Sequence, residues 1–285
     1  MLFKKLANGY IWKRIFYERI TEPLHLNAIS LPIAFLGGLR SRIAWDLVLR
    51  CQHAYSILKC ADMAAAQGLK KVTLIEFGVA AGAGLLNICE VAKKVTNTTG
   101  IEFEIFGFDT GQGMPAPLSY RDHPELYQQG DYPMQFESLQ KRLPSNAKLI
   151  LGEIEQTYPA FLEEVSAAAP VGFVSIDVDY YSSTKHALSV LRGLPEQYLP
   201  RVLVYLDDLE DESHNSYCGE LLAVNEFNSD QTMRKIERHH FLRSYRIFKN
   251  ARWIDHIFVC HVLDHATRNL LRQGRAAAVL ANPYL

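Results

Sequence analysis

Carboxylate side chains directly follow four short apolar runs of the sequence. These acidic residues are Glu76, Asp109, Asp177 and Asp207, and the last of them is followed at once by Asp208. In an open α/β sheet the ligand crevice lies outside the carboxyl ends of the strands, so acids at such positions converge on one crevice. One acid at a strand end is ordinary, because strand interiors exclude charge. Four of them together indicate a functional site.

Negative charge is concentrated in the second half of this set, at Asp177, Asp179, Asp207 and Asp208. Like charges at this density repel one another strongly when they are partly desolvated. No lysine or arginine lies within the two motifs that carry these acids, and only Lys185 adjoins them. We therefore expect a divalent cation held by oxygen ligands. The alternative is that Asp179 caps the following helix and Asp208 faces solvent.

A glycine-rich turn follows the first acid, with the order E-F-G-V-A-A-G-A-G over residues 76–84. Gly78 permits a tight turn after a strand, and Gly82 lets the backbone approach a ligand where the next helix begins. A nicotinamide site would have Gly-x-Gly-x-x-Gly, and Ala80 stands where that motif has its second glycine. The pattern indicates a cofactor-binding turn, or else a turn that only needs small residues.

Asp109 ends the second apolar run, where a carboxylate can accept hydrogen bonds from the two ribose hydroxyls of an adenosine group. The sequence separation between Glu76 and Asp109 is longer than the spacing of about 20 residues found in dinucleotide sites. The spacing therefore favours an adenosine-bearing cofactor other than NAD(P), while an NAD(P)-dependent oxidoreductase stays as the alternative.

Composition narrows the class of protein further. The chain has 285 residues, of which 48% are hydrophobic, and this is enough for a sizeable core. Its formal net charge of −1 provides no basic field for nucleic acid, so we expect a small-molecule partner. Five scattered cysteines without a Cys-x-x-C motif predict reduced thiols in a cytoplasmic protein. No apolar stretch is long enough to predict a transmembrane segment.

Alternation of apolar runs with helical patterns predicts a doubly wound α/β sheet. The expected strands are at 72–75, 103–108, 147–151, 171–176 and 202–206, and the expected helices are at 85–95, 158–168, 184–191 and 219–227. Two more strands, at 244–248 and 257–262, are joined by a link too short for a crossover helix, so we expect them to be antiparallel. One long helix is expected over 41–68. The expected organisation is a helical extension (1–68), one domain (69–265) and a tail (266–285).

The first residues form a basic amphipathic pattern, in which lysines and arginines alternate with apolar residues between Phe3 and Arg19. We expect this segment to fold onto its own domain. A second subunit, giving a homo-oligomer, and a membrane surface are the alternatives.

The order of these motifs resembles class I S-adenosylmethionine-dependent methyltransferases. It resembles more narrowly the metal-dependent O-methyltransferases of the macrocin O-methyltransferase type, which modify deoxysugars on macrolides. The resemblance runs from about Val72 to Phe227. The motifs that carry it are Glu76-Phe77-Gly78-Val79, Gly107-Phe108-Asp109-Thr110 with Gly113-Met114-Pro115, Gly152-Glu153-Ile154, Ile176-Asp177-Val178-Asp179 with Tyr181-Ser182-Ser183-Thr184, and Asp207-Asp208.

This resemblance implies a Rossmann-like sheet of seven strands whose last strand is antiparallel. It implies a magnesium site at Asp177, Asp207 and Asp208. It also implies an S-adenosylmethionine site, for which the candidate contacts are Glu76, Gly78, Gly82, Asp109, Thr110, Glu153 and Asp177. Gly111 departs from the family pattern, which has a bulky residue there, and residues 1–40 and 230–285 match no pattern of the family.

The expected reaction is transfer of a methyl group to a hydroxyl of a small molecule, such as a sugar or another polyol. Two vicinal oxygens of the acceptor would chelate the ion, which lowers the pKa of the hydroxyl and fixes its direction. Asp177 and His214 are the candidate catalytic residues, with His214 as a general base six positions after Asp208. A catalytically silent partner subunit is a further alternative.

Overall fold

A computed structural model describes residues 15–209 and 213–270, together with Gly9, Trp12, Val279 and Ala281. Its seven strands form one sheet in the order β3-β2-β1-β4-β5-β7-β6. The strands are β1 (Lys71–Phe77), β2 (Glu102–Asp109), β3 (Ala147–Leu151), β4 (Val171–Ile176), β5 (Tyr198–Leu206), β6 (Arg234–Arg238) and β7 (Ile257–Val262). Strands β1 to β5 pair in parallel, and β7 is antiparallel to both β5 and β6. The predicted doubly wound sheet with an antiparallel last strand is confirmed.

Helices cover both faces of this sheet. Those described are α1 (Leu24–Leu36), α2 (Leu39–Ala44), α3 (Cys51–Ala66), α4 (Ala83–Thr99), α5 (Phe136–Gln140), α6 (Ile154–Glu164), α7 (Tyr181–Leu188), α8 (Gly219–Asp230) and α9 (Leu242–Tyr245). One core cluster joins α3 and α4 to the sheet, and a second joins α6, α7 and α8 to the opposite face. All six residues of β4 are buried, as expected of a central parallel strand covered on both faces.

Two sequence predictions about the elements are wrong. Residues 244–248 do not form a strand, because 242–245 form the short helix α9, and the edge strand is instead β6. Its sequence, R-K-I-E-R, buries Ile236 in the core among charged residues, so it lacks the apolar run that marks the central strands. The helix expected over 41–68 is two helices, α2 and α3, because the chain turns at Asp46 with a positive φ of 49°.

Packing against the sheet continues on the N-terminal side of the boundary expected at residue 68. Helix α3 lies in the expected extension, yet it packs on the sheet and contributes Ile57, Cys60 and Ala61 to the main cluster. All five cysteines of the chain are buried. Among the described residues, no helix combines the length and the apolarity needed to cross a membrane.

Most of the basic segment between Phe3 and Arg19, and most of the tail at 266–285, lie outside the described residues. Residues 15–19 form a short π-helical turn. Phe16 is exposed there, so this side chain does not pack on its own domain as expected. Arg19 does pack on the domain, because its guanidinium lies 3.6 Å from the centre of the Phe248 ring and donates a hydrogen bond to the Trp45 carbonyl at 2.8 Å.

Candidate functional site

A cavity of about 440 Å³ opens beyond the carboxyl ends of β1, β2, β4 and β5. The strands end level with one another, since Phe77 pairs with Phe108 and Ile176, and Ile176 pairs with Leu206. The residues after each strand therefore meet at one place, as the sequence predicts. The predicted site residues that line the cavity are Glu76, Gly78, Asp109, Thr110, Glu153, Asp177, Asp207 and Asp208.

The turn between β1 and α4 needs glycine at two of the predicted positions. Gly78 has a φ of +83°, and a Cβ added to it would lie 1.7 Å from the Asp177 carbonyl oxygen. The ends of β1 and β4 can therefore approach closely only with glycine at this position. Gly82 has a φ of +82° at the start of α4, where an added Cβ would meet Leu139. It shapes the turn, while its neighbours Ala81 and Ala83 line the cavity.

Asp109 holds this turn in place. Its Oδ2 accepts hydrogen bonds from the backbone N–H groups of Val79 and Ala80, each at 2.8 Å, and its Oδ1 accepts one from Gly111 at 2.6 Å. Each carboxylate oxygen has further acceptor capacity, and the residue lines the cavity. Contact with a ribose stays a prediction, to which the structure adds that Asp109 also fixes Ala80 at a strained φ of 45°.

Glu76 is a buried acid at the floor of the cavity. It is 1% exposed, and its Oε2 has no hydrogen-bond partner in the structure. Gly84 makes room for it, because a Cβ there would lie 2.0 Å from Oε1 of Glu76. Burial, followed by the negative charge of Asp177, raises the pKa of Glu76 well above its ordinary value. A buried carboxyl group with an oxygen that lacks a partner favours a ligand that brings a hydrogen-bond donor or a positive charge.

Three aspartates form a compact cluster beside it. One carboxylate oxygen from each of Asp177, Asp207 and Asp208 lies within 4.8 Å of the other two. Burial and then the charge of Asp207 raise the pKa of Asp177 to about 8. Burial and then the charge of Glu220 raise the pKa of Asp208 well above its ordinary value. Asp177 and Asp208 therefore resist ionisation without a cation.

The donor set fits a hard divalent cation. Oxygen ligands of one magnesium ion, at about 2.1 Å, lie about 3 to 4 Å apart. The three aspartate oxygens lie within 4.8 Å of one another, which is close to that spacing. Neighbouring groups already orient two of them, since Asp207 accepts a hydrogen bond from the Tyr205 hydroxyl and Oδ2 of Asp208 accepts one from the Asp179 N–H at 3.1 Å.

Arg50, which the sequence did not reveal, brings a positive charge to this cavity. It precedes α3 and lines the cavity together with the acids. Its charge lowers the pKa values of Glu76 and Asp177, but burial outweighs it for both. No motif surrounds Arg50 in the sequence, and it reaches the site only because α3 packs on the sheet.

Tyrosines of the segment after β2 form another wall that the sequence did not reveal. Tyr127 and Tyr132 line the cavity, and burial, followed by the charge of Asp179, raises the pKa of each. Tyr132 and Asp179 have positive φ values, both of 56°. Backbone strain of this kind is concentrated at functional sites.

His214 is not among the residues that line the cavity. Its ring lies 4.7 Å from the ring of the buried His123, which in turn faces Gly219 at the start of α8. Its role as a general base stays a prediction. Asp179, Asp131 and Ser183 line the cavity instead.

The fold is similar to that of the O-methyltransferase NovP, with a TM-score of 0.51 and 15% sequence identity, over 75% of this chain and 80% of that chain. For the calicheamicin methyltransferase CalS11 the TM-score is 0.47 and the sequence identity is 19%, over 61% of this chain and 69% of that chain. For an O-methyltransferase from Bacillus cereus in complex with SAH, the TM-score is 0.40 and the sequence identity is 12%, over 75% of this chain and 82% of that chain. No protein-family model matches the sequence, and no curated protein matches it. The chain therefore has a Rossmann-like fold similar to that of NovP.

Proposed function

We propose that this protein is an S-adenosylmethionine-dependent O-methyltransferase that acts on a hydroxyl of a small molecule with the help of a divalent metal ion. One observation carries the proposal. The glycine turn with its acids Glu76 and Asp109 opens into the same cavity as the cluster of Asp177, Asp207 and Asp208. A cofactor on the turn and an acceptor on the cluster would therefore lie side by side.

The topology supports this choice over a nicotinamide-dependent oxidoreductase. Dinucleotide-binding sheets have the strand order 3-2-1-4-5-6. Here the antiparallel β7 lies between β5 and β6, and NovP, whose fold is similar, is an O-methyltransferase. The alanine at position 80, where a nicotinamide motif has glycine, supports the same choice.

The residues of the cavity have distinct roles in this proposal. Asp109 and the turn that it holds bind the nucleoside, and the unpartnered Oε2 of Glu76 accepts a hydrogen bond from the cationic amino-acid part of the cofactor. The three aspartates would hold the ion, which would supply Lewis-acid activation of the acceptor hydroxyl. Tyr127 and Tyr132 cover the site and exclude water from the in-line displacement.

The acceptor that best fits these features has two adjacent oxygens, as in a sugar or another polyol. Magnesium keeps few protein ligands, so open positions remain for a chelating diol. A silent binding subunit would hold the cofactor but would transfer no methyl group.

The test has two parts. Calorimetry should detect binding of S-adenosylhomocysteine and no binding of NAD. Labelled S-adenosylmethionine, supplied with panels of sugars and catechols, should then methylate an acceptor with magnesium and not with excess chelator. Tight NAD binding would contradict the proposal, and turnover that persists in chelator would remove the metal from it.

A further inference from the structure

Apolar side chains are exposed along one face of α1. Leu24, Leu31, Phe35 and Leu36 expose between 62% and 87% of their surface. Together with Ala28, Ile29 and Pro32 they recur at the three- and four-residue spacing that places side chains on one side of a helix. We call these seven residues the apolar face.

The exposed apolar surface continues before the helix. Trp12, Phe16, Tyr17 and Ile20 are all exposed. Nine of the 23 large apolar side chains that the described residues expose therefore lie between positions 12 and 36. A concentration of this kind marks a surface that binds a partner or a membrane.

The start of α1 is fixed to the domain, so its apolar face is presented in one orientation. Glu22, which is buried before the helix begins, accepts hydrogen bonds from the N–H groups of Lys249 and Asn250. The side-chain amide of Asn27 donates to the Arg19 carbonyl at 2.8 Å. These contacts involve groups away from the apolar face and leave it uncovered.

The charge of the sequence before α1 indicates which kind of surface covers the apolar face. The sequence from 1 to 17 contains Lys4, Lys5, Lys13 and Arg14 and no acidic residue, although the whole chain has a net charge of −1. Two copies of so basic a sequence repel each other, so a second copy of the chain is the less favourable occupant. An anionic surface attracts them instead.

We propose that the apolar face of α1 docks on the surface of an anionic lipid bilayer, with the basic stretch 1–17 supplying attraction to the headgroups. The 13 residues of α1 span about 20 Å, which is shorter than the hydrocarbon core of about 30 Å. The helix therefore lies in the interface and does not cross the bilayer. Trp12 and Tyr17 are residue types that favour the headgroup level. The protein thus binds the membrane peripherally, through this helix.

The test is co-sedimentation of the full chain with vesicles of phosphatidylcholine alone or of phosphatidylcholine mixed with phosphatidylserine. The protein should pellet with the mixed vesicles, and raising the salt to about 0.5 M should release it. The double variant Leu31→Glu with Phe35→Glu should weaken binding at least tenfold. The matched control is Leu194→Glu with Phe241→Glu, because these side chains are 62% and 73% exposed, against 62% and 70% for the pair in α1. The control should bind like the native protein.

A second variant isolates the electrostatic part. Replacing Lys4, Lys5, Lys13 and Arg14 by glutamine should abolish the preference for phosphatidylserine. The proposal is overturned if the native protein does not pellet with mixed vesicles, or if the α1 variant binds them as well as the control does. If light scattering then shows that the α1 variant turns a dimer into a monomer, a second copy is the occupant. Vesicle binding needs no methyl transfer, so its outcome is independent of the proposed reaction.

Discussion

Oδ1 of Asp122 accepts a hydrogen bond from the backbone N–H of Ser182 at 2.9 Å, although the two residues lie 60 positions apart in the sequence. Ser182 is in the first turn of α7, directly after the motif that carries Asp177 and Asp179. The sequence suggested that Asp179 itself could cap this helix. The structure instead uses a residue of the segment after β2, and this bond ties the wall that carries Tyr127 to the aspartate cluster.

Replacing Asp122 by alanine should therefore loosen the wall and destabilise the protein. The side chain is 1% exposed, and its Oδ2 also accepts from the Leu118 N–H at 2.9 Å. Loss of both bonds should lower the free energy of unfolding by about 1 to 3 kcal/mol, measured by denaturant titration. Asp230→Ala is the control, because replacing that exposed aspartate should lower the free energy of unfolding by less than about 0.5 kcal/mol. Equal effects in the two variants would contradict the assigned role.

The sequence predicted the centre of the sheet and missed its periphery for physical reasons. Buried parallel strands must be apolar along their whole length, so they are visible as runs that end in acids. The edge strand β6 has one neighbour and tolerates charge, so its pattern is hidden. The turn at Asp46 depends on Arg246, which pairs with its carboxylate and donates to the Ile43 and Ala44 carbonyls at the end of α2.

The residues of the candidate site also fall into those that the sequence predicts and those that it does not. Its carboxylates follow from strand ends and could be predicted without tertiary information. Arg50 and Tyr127 occupy the cavity because of how α3 and a long loop pack, and neither has a local sequence signal. Glu220 also has no local sequence signal, because it contacts Asp208 only when α8 packs on the sheet.

The contact between Arg246 and Asp46 should be one of the strongest in the fold. Both side chains are buried, so Arg246→Ala would leave the carboxylate of Asp46 and two helix-end carbonyls without this donor. We expect a loss of about 3 to 5 kcal/mol in the free energy of unfolding. The neighbouring Arg243 pairs with Asp255 at the surface, and Arg243→Ala should cost about 1 kcal/mol or less. Thermal melts of both variants measure the difference, and similar losses would refute it.

Cofactor affinity should depend on Asp109 in two ways. Alanine at this position removes an acceptor for the ribose and also releases the amides of Val79 and Ala80. We expect binding of S-adenosylhomocysteine to weaken by about 1.5 to 3 kcal/mol in calorimetry. Glu102→Ala, at the opposite end of β2, is the matched control and should bind as the native protein does. Unchanged affinity in Asp109→Ala would place the cofactor elsewhere.

Stability of the metal-free protein should fall as pH rises. Burial raises the pKa of Asp177 from an ordinary 3.8 to about 8, and the pKa values of Glu76, Asp208 and Glu220 are raised in the same direction. Between about pH 4 and about pH 8 the folded state therefore holds protons that the unfolded chain has released, so folding is favoured less at each higher pH. Melting temperatures in chelator should decrease between about pH 5 and about pH 8. A melting temperature that stays constant or rises across this window would show that the pKa values of these acids are not raised in the fold.

Replacing Asp177 by asparagine should separate stability from function. In the metal-free protein the change removes a negative charge from beside Asp207 and Asp208, so the variant should melt at a higher temperature than the native chain at about pH 8. Magnesium should raise the melting temperature of the native protein, because it binds the folded state alone, and should leave that of the variant unchanged. Methyl transfer should collapse while S-adenosylhomocysteine still binds. Asp230→Asn, at an exposed position on α8, controls for the loss of one charge and should respond to magnesium as the native protein does. If the Asp177 variant keeps both the magnesium response and turnover, the cluster does not hold the ion, and its acids have a structural role only.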